Sequence, residues 1–295
     1  MDGIRPFVGI GLLLISGLAF SVGILTAMMA LKNGIGLNTS NVARYFVATM
    51  MLFIYHKINK QSVITPKKEL FTSLALGVTV FMMGIGYLGA TRYIPTSLAV
   101  LIFYTGPFFV FIIARFTEKE PFTIIRLIAF IMASSGLYLA MWIQTVSGLP
   151  FTGIFFAFLA AIGMALFITI SNLLIRTADP QTVSLHALSG CTLLLFCFYL
   201  LNNDAVNQLT QTGLLYLTAS GMSLGVAYIT FYAGLKIIGS VKASMLLNIE
   251  PIFTITLSVA IFGEQLSFTR FLGAGLVISG VFLINYKYKS NPQDP

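Results

Sequence analysis

The chain holds 295 residues, of which 57% are apolar and only 9% charged, against roughly 25% charged in an ordinary soluble domain. That composition excludes a soluble enzyme, a disordered chain and a disulfide scaffold, the last because Cys191 and Cys197 sit on different faces of one apolar segment and cannot pair. The net charge of +8 is carried by basic residues set between apolar runs rather than in one stripe, so no nucleic acid is expected and the lipid bilayer is the partner.

A hydrocarbon core about 30 Å thick takes about 20 residues of helix. Ten segments reach that length, at 7–31, 39–56, 70–91, 96–116, 124–143, 153–175, 181–201, 213–235, 243–262 and 268–286. Helices are expected over strands, because each span must satisfy its own backbone in lipid. The fold class is therefore all-α, a polytopic membrane protein with ten transmembrane helices. The first segment exceeds the usual length of a signal-peptide core and is read as a span. Placing both termini in the cytoplasm puts Arg5, Lys57, Lys60, Lys67, Lys68, Arg115, Lys119, Arg126, Arg176, Lys236, Lys242, Lys287 and Lys289 inside. Only Lys32, Arg92 and Arg270 then fall outside, with Arg44 within the second span. Short cytoplasmic loops are the ones enriched in Lys and Arg, so this is the expected orientation.

Shifted against itself by 144 residues, the sequence comes into register without a gap: Gly9 meets Gly153, Lys32 meets Arg176, Ala99 meets Ala243, Pro107 meets Pro251, Glu120 meets Glu264, Arg126 meets Arg270 and Gly136 meets Gly280. Each repeat, 7–143 and 153–286, then holds five spans. Five is odd, so the second repeat enters the membrane from the opposite side. The charges agree, since the loop with Lys57, Lys60, Lys67 and Lys68 corresponds to a stretch with Leu201, Asp204, Gln211 and Thr212 that has no Lys or Arg. Inverted repeats give a molecule two quasi-mirror conformations, the geometric basis of alternating access in secondary transporters.

The segment 99–136, with YTGP at 104–107, and the segment 243–280, with NIEP at 248–251 and FGEQLS at 262–267, resemble the closing part of the EamA domain. Two such domains in tandem resemble the ten-helix branch of the drug/metabolite transporter superfamily. The resemblance implies a multi-pass carrier of the bacterial inner membrane, most often an exporter of amino acids or other small metabolites, with a central cavity between the repeats. One local departure is that the first repeat reads TEKEP where the second reads FGEQL, which brings in Glu118 and Pro121.

Several residues are candidates for transport. Pro107 and Pro251 lie mid-span at equivalent positions; a helix-interior proline deprives the carbonyl four residues back of its partner, here Phe103 and Leu247, so both spans are expected to kink, for gating or for packing alone. Glu250 lies about seven residues, roughly 10 Å, into its span, with Thr254 and Ser258 following on one face. An acid at that depth is usually turned to the interior; it either exchanges a proton, binds a substrate ammonium or takes structural hydrogen bonds. Arg44, about five residues into its span, either snorkels to the headgroups or holds a substrate carboxylate or phosphate, a role also implied by the Arg common in this part of EamA domains. Tyr87, Tyr104, Tyr228 and Tyr232 either line a pocket or pack between helices. Asn172 and Asn248 need partners if buried and are cavity residues or interhelical glue. Gly221 and Gly225 form a GxxxG pair that permits close helix approach.

The expected function is a secondary transporter of a small metabolite, working by alternating access in the direction of export; an importer or equilibrating facilitator of the same fold is the alternative. An intramembrane enzyme would need a catalytic set, and the sequence has no HExxH, GxSxG or GxxxxGK[ST]. No metal and no cofactor are expected, protons are the simplest coupling ion, and oligomeric state is left open.

Overall fold

The computed structural model describes residues 5–60, 65–94, 96–119, 123–141, 150–202, 210–262 and 268–286. They form twelve helices and, among the described residues, no strand: α1 (Arg5–Lys32), α2 (Leu37–Ile58), α3 (Lys67–Thr91), α4 (Thr96–Phe103), α5 (Gly106–Thr117), α6 (Ile124–Met141), α7 (Phe151–Leu174), α8 (Pro180–Leu201), α9 (Gln211–Ile238), α10 (Ser240–Leu247), α11 (Glu250–Phe262) and α12 (Phe268–Tyr286). The twelve make ten crossings, because α4 with α5 and α10 with α11 each complete one span. By length and apolarity seven crossings qualify outright, and Ile124–Leu139 and Phe271–Leu283 are shorter apolar helices. The remaining crossing, α2, is diluted by Asn38, Thr39, Ser40, Asn41 and Arg44 in its first turns. Glu120, Pro121, Asp204 and Glu264, and the side chains of Ser258 and Arg270, lie outside the described residues.

The spans expected to kink are broken instead. Both first segments end three residues ahead of the full proline turn, and Pro107 and Pro251 sit in the opening turn of α5 and α11. There the missing N–H costs nothing, because the first helical N–H groups have no intrahelical acceptor anyway. Each break closes with three-residue hydrogen bonds: Thr105 to the Ile102 carbonyl and Phe108 to that of Thr105, mirrored by Ile249 to Leu246 and Ile252 to Ile249.

Side-chain contacts fix the relative directions of the helices. Gly9 packs on Ile237 and Ile238, and Gly23 lies beside Ser220, so α1 and α9 run antiparallel. Gly221 meets Val47 and Gly225 meets Met51, so α9 and α2 run parallel, as the GxxxG pair allows. His56 bonds Thr182 while Asn38 bonds the Asn202 carbonyl, which makes α2 and α8 antiparallel. Gly77 lies against Gly190 and, further along, Phe81 meets Phe198, so α3 and α8 run parallel; Gly86 and Gly163 hold α3 antiparallel to α7. Following the signs through, α7 points opposite to α1. The second repeat is therefore inverted relative to the first.

Most of these contacts join one repeat to the other. They also obey the repeat symmetry: Gly9 on Ile238 is matched by Gly153 on Ile94, and Gly136 against the Gly273 carbonyl by Gly280 against that of Ala129. The two units that are separate in sequence are interleaved in space. At Gly136 and Gly280 a β-carbon would come within 2.6 and 2.7 Å of a backbone oxygen, so α6 and α12 approach as closely as they do only because both positions lack a side chain.

Candidate functional site

The N-terminus of α1 lies at the same end of the bundle as the C-terminus of α9; this end is called the terminal face and the other the distal face. Between them, the helix breaks bring the candidate residues together. Tyr104, at the break between α4 and α5, lies beside the Glu250 carboxylate in the first turn of α11. Tyr87 on α3 and Arg44 on α2 are within electrostatic reach of that carboxylate. Glu250 is surrounded by protein yet keeps partial accessibility, as a side chain does when it faces an internal opening. Its backbone carbonyl is fixed by the hydroxyls of Ser21 at 2.8 Å and Thr254 at 3.1 Å.

Arg44 lies seven residues into α2, deeper than the sequence boundary implied, because the helix begins at Leu37. Its guanidinium stands 5.7 Å from the centroid of Tyr45, and its Nε is buried without a hydrogen-bond partner. Asn248 is wholly buried, and neither atom of its amide finds a partner.

Other candidates are placed differently. Tyr228 and Tyr232 are buried at 2% and 0% in an aromatic plug with Phe20, Phe167 and Phe231. Tyr228 lies beside Tyr45, and the Tyr232 hydroxyl hydrogen-bonds that of Ser171 at 3.0 Å. Asn172 lies apart from Glu250, at the end of α7, where it donates to Glu118 at 2.7 Å.

Comparison of repeat mates shows that the two ends of the bundle are unequally covered. The first half of α8, from Pro180 to Cys191, is buried at every position but Ser189, whereas its mate in α2, residues 36–47, is mostly half-exposed with only Ser40 buried. All of α10 except Lys242 is buried, whereas Leu98 and residues 100–103 of its mate α4 are half-exposed. Tyr228 is enclosed, but its mate Gly84 has no atom within 4 Å of where a β-carbon would stand. Gly84 lies two turns beyond Gly77 on the same face of α3, and Gly77 touches the backbone of α8. Helices α3 and α8 thus touch backbone to backbone midway along their length and through Phe81 and Phe198 further toward the distal face, where Gly84 leaves a gap in the packing. The bundle is thus packed more densely around Glu250 on its terminal side than on its distal side.

Two buried polar groups at the terminal face were not candidates in the sequence. His56 is fully buried, with Nδ1 on the Leu52 carbonyl at 2.8 Å and Nε2 on the Thr182 hydroxyl at 3.2 Å. Glu118, whose side chain is 5% exposed, gathers partners from α7 and α10. For Glu118 a signal did exist, since Asn172 and Arg176 are four apart on one helical face and would confront any acid docked there.

A sequence model of the EamA-like transporter family matches the chain twice, over residues 8–142 and 151–286. The uncharacterized transporter YoaV of Bacillus subtilis (strain 168) is 22% identical over 253 residues, which cover 83% of this chain and 86% of the relative. An uncharacterized transporter of Archaeoglobus fulgidus is 24% identical over 212 residues, covering 72% and 75%. A solved crystal structure, 14% identical, matches with a TM-score of 0.81 over 96% of this chain and 97% of its own. That likeness concerns the fold alone.

Proposed function

On the premise that this chain belongs to the EamA-like transporter family, we propose that it is a secondary carrier exporting a small amphipathic metabolite, an amino acid or related zwitterion, by alternating access. The observation that carries this reading is the proximity of opposite charges, Glu250 and Arg44, in the interior of the bundle. Glu250, braced by Tyr104, offers a site for an ammonium, and the free Nε of Arg44 offers one for a carboxylate. A zwitterion spanning the two is held at both ends, with Tyr87 and Tyr45 beside it to cover an apolar body.

The asymmetry between the mouths supports the cycle. Inverted repeats can exchange environments, so a state open distally has a counterpart open terminally. In the reading proposed here the termini are cytoplasmic in a bacterial inner membrane, which makes the distal face the outside. Glu250 takes a proton from outside and releases it inside, and substrate moves the other way. The breaks at 104–105 and 248–249 serve as hinges, because backbone already free of the helical ladder turns at little cost.

The test is counterflow of radiolabelled amino acids into liposomes holding the purified protein. Saturable exchange that Arg44→Lys weakens is the expected result, since an ammonium does not reproduce the guanidinium fork. Efflux driven by an inward proton gradient fixes the direction. No exchange with any zwitterion would reject the substrate class.

A further inference from the structure

The terminal mouth is closed by more than the aromatic plug. At the end of α5 the Glu118 carboxylate uses both oxygens: Oε1 accepts from the Ser240 hydroxyl at 2.7 Å, and Oε2 accepts from the Asn172 amide at 2.7 Å. Arg176 brings its guanidinium within 3.4 Å of the same Oε2. Glu118 belongs to the first repeat and its three partners to the second, so the contact ties the two repeats together where they would have to separate for this mouth to open.

The repeat symmetry makes the contact informative. The mates of Glu118, Asn172, Arg176 and Ser240 are Phe262, Met28, Lys32 and Thr96. Phenylalanine at the acid's equivalent position cannot accept the hydrogen bonds that Glu118 accepts. The state closed terminally thus gains, besides the aromatic plug, a set of charge-assisted hydrogen bonds that separation of the two repeats at this end would break.

We infer that Glu118 is a latch that makes the terminally closed state the resting state of this carrier, and that its release from Asn172, Arg176 and Ser240 is a required step in opening the terminal mouth. The latch touches no substrate and acts on the equilibrium between states. It rests on the alternating-access reading.

Spin labels at Thr117→Cys and Thr177→Cys, both on exposed residues flanking the latch, in a protein with Cys191 and Cys197 replaced by serine, report its opening as a distance distribution. The expected result is a single short distance for the otherwise unchanged protein and a longer population rising about tenfold in Glu118→Gln, with a smaller rise in Arg176→Ala. Because Arg176 is 52% exposed, that variant keeps the experiment decisive if Glu118→Gln fails to fold. Unchanged distributions in the folded variants would overturn the latch. An unlatched protein whose labels keep one distance under every substrate and proton gradient would instead overturn alternating access itself.

Discussion

The two mouths of the bundle are built from sequence-related helices and yet differ throughout. At the distal mouth the mate of a tyrosine is Gly84, facing space; at the terminal mouth Tyr228 is enclosed by Phe20 and Phe167. At the distal mouth residues 36–47 of α2 are mostly half-exposed, while at the terminal mouth the equivalent turns of α8 are covered. The lesson is that near-symmetry in an inverted repeat defines two conformations, and departures from it define which one is occupied. Substitutions that exchange features between mouths should therefore move the protein between them.

The largest effect is expected at Glu250, the acid that both states must share. Glu250→Gln removes a charge-assisted contact worth about 1.5–3 kcal/mol, so substrate affinity should fall roughly 10- to 100-fold. Gradient-driven transport should cease while any residual exchange loses its response to a pH difference, read by counterflow with and without that difference. Next comes Gly84→Tyr, which copies the terminal plug into the distal mouth. The new side chain enters empty space, so yield and thermal stability should hold while transport drops about tenfold. A normal rate would mean that Gly84 does not face the substrate path.

Pro251→Ala restores an N–H that could extend the helical ladder across the break. It should slow turnover several-fold while leaving equilibrium binding and protein yield near normal; equal losses of yield and rate would mark the break as a packing feature. The smallest effect is expected from Tyr232→Phe, which deletes one hydroxyl from the plug and leaves Ser171 unpaired. That costs about 1 kcal/mol of stability, seen as a modest fall in melting temperature with unchanged substrate affinity.

Much of this architecture was open to reading from residues alone. Ten crossings and the inversion follow from hydropathy, an odd span count and Lys/Arg placement, and the helix directions agree with them. The matched prolines marked where both spans depart from a straight helix, but the expected kinks are breaks. Whether a proline kinks a helix or ends it depends on what accepts and donates around the gap, which is decided by neighbours such as Ser21 on α1.

Other features had no local trace. Helical spacing groups Tyr228 with Tyr232 on one face but does not say whether that face meets a cavity or a plug, because the answer lies on Phe20 and Phe167 in helices far along the chain. Asn172 and Asn248 were alike as polar residues needing partners. The structure gives one of them a carboxylate and leaves the other's amide unpaired. Glu118 looked like a local departure in a turn and became meaningful only once α5 was seen to end against α7 and α10. Burial of repeat mates is a long-range property, so the occupied state could not be read from either repeat by itself.

The central claim is most directly tested by single-cysteine labelling with a membrane-impermeant maleimide applied to each face in turn, without substrate, after Cys191 and Cys197 are replaced by serine. Gly84→Cys should react from the distal face at least about tenfold faster than Ser171→Cys reacts from the terminal face. Ready modification of position 171 from the terminal face, or of position 84 from that face, would contradict a cavity open on one side and sealed on the other.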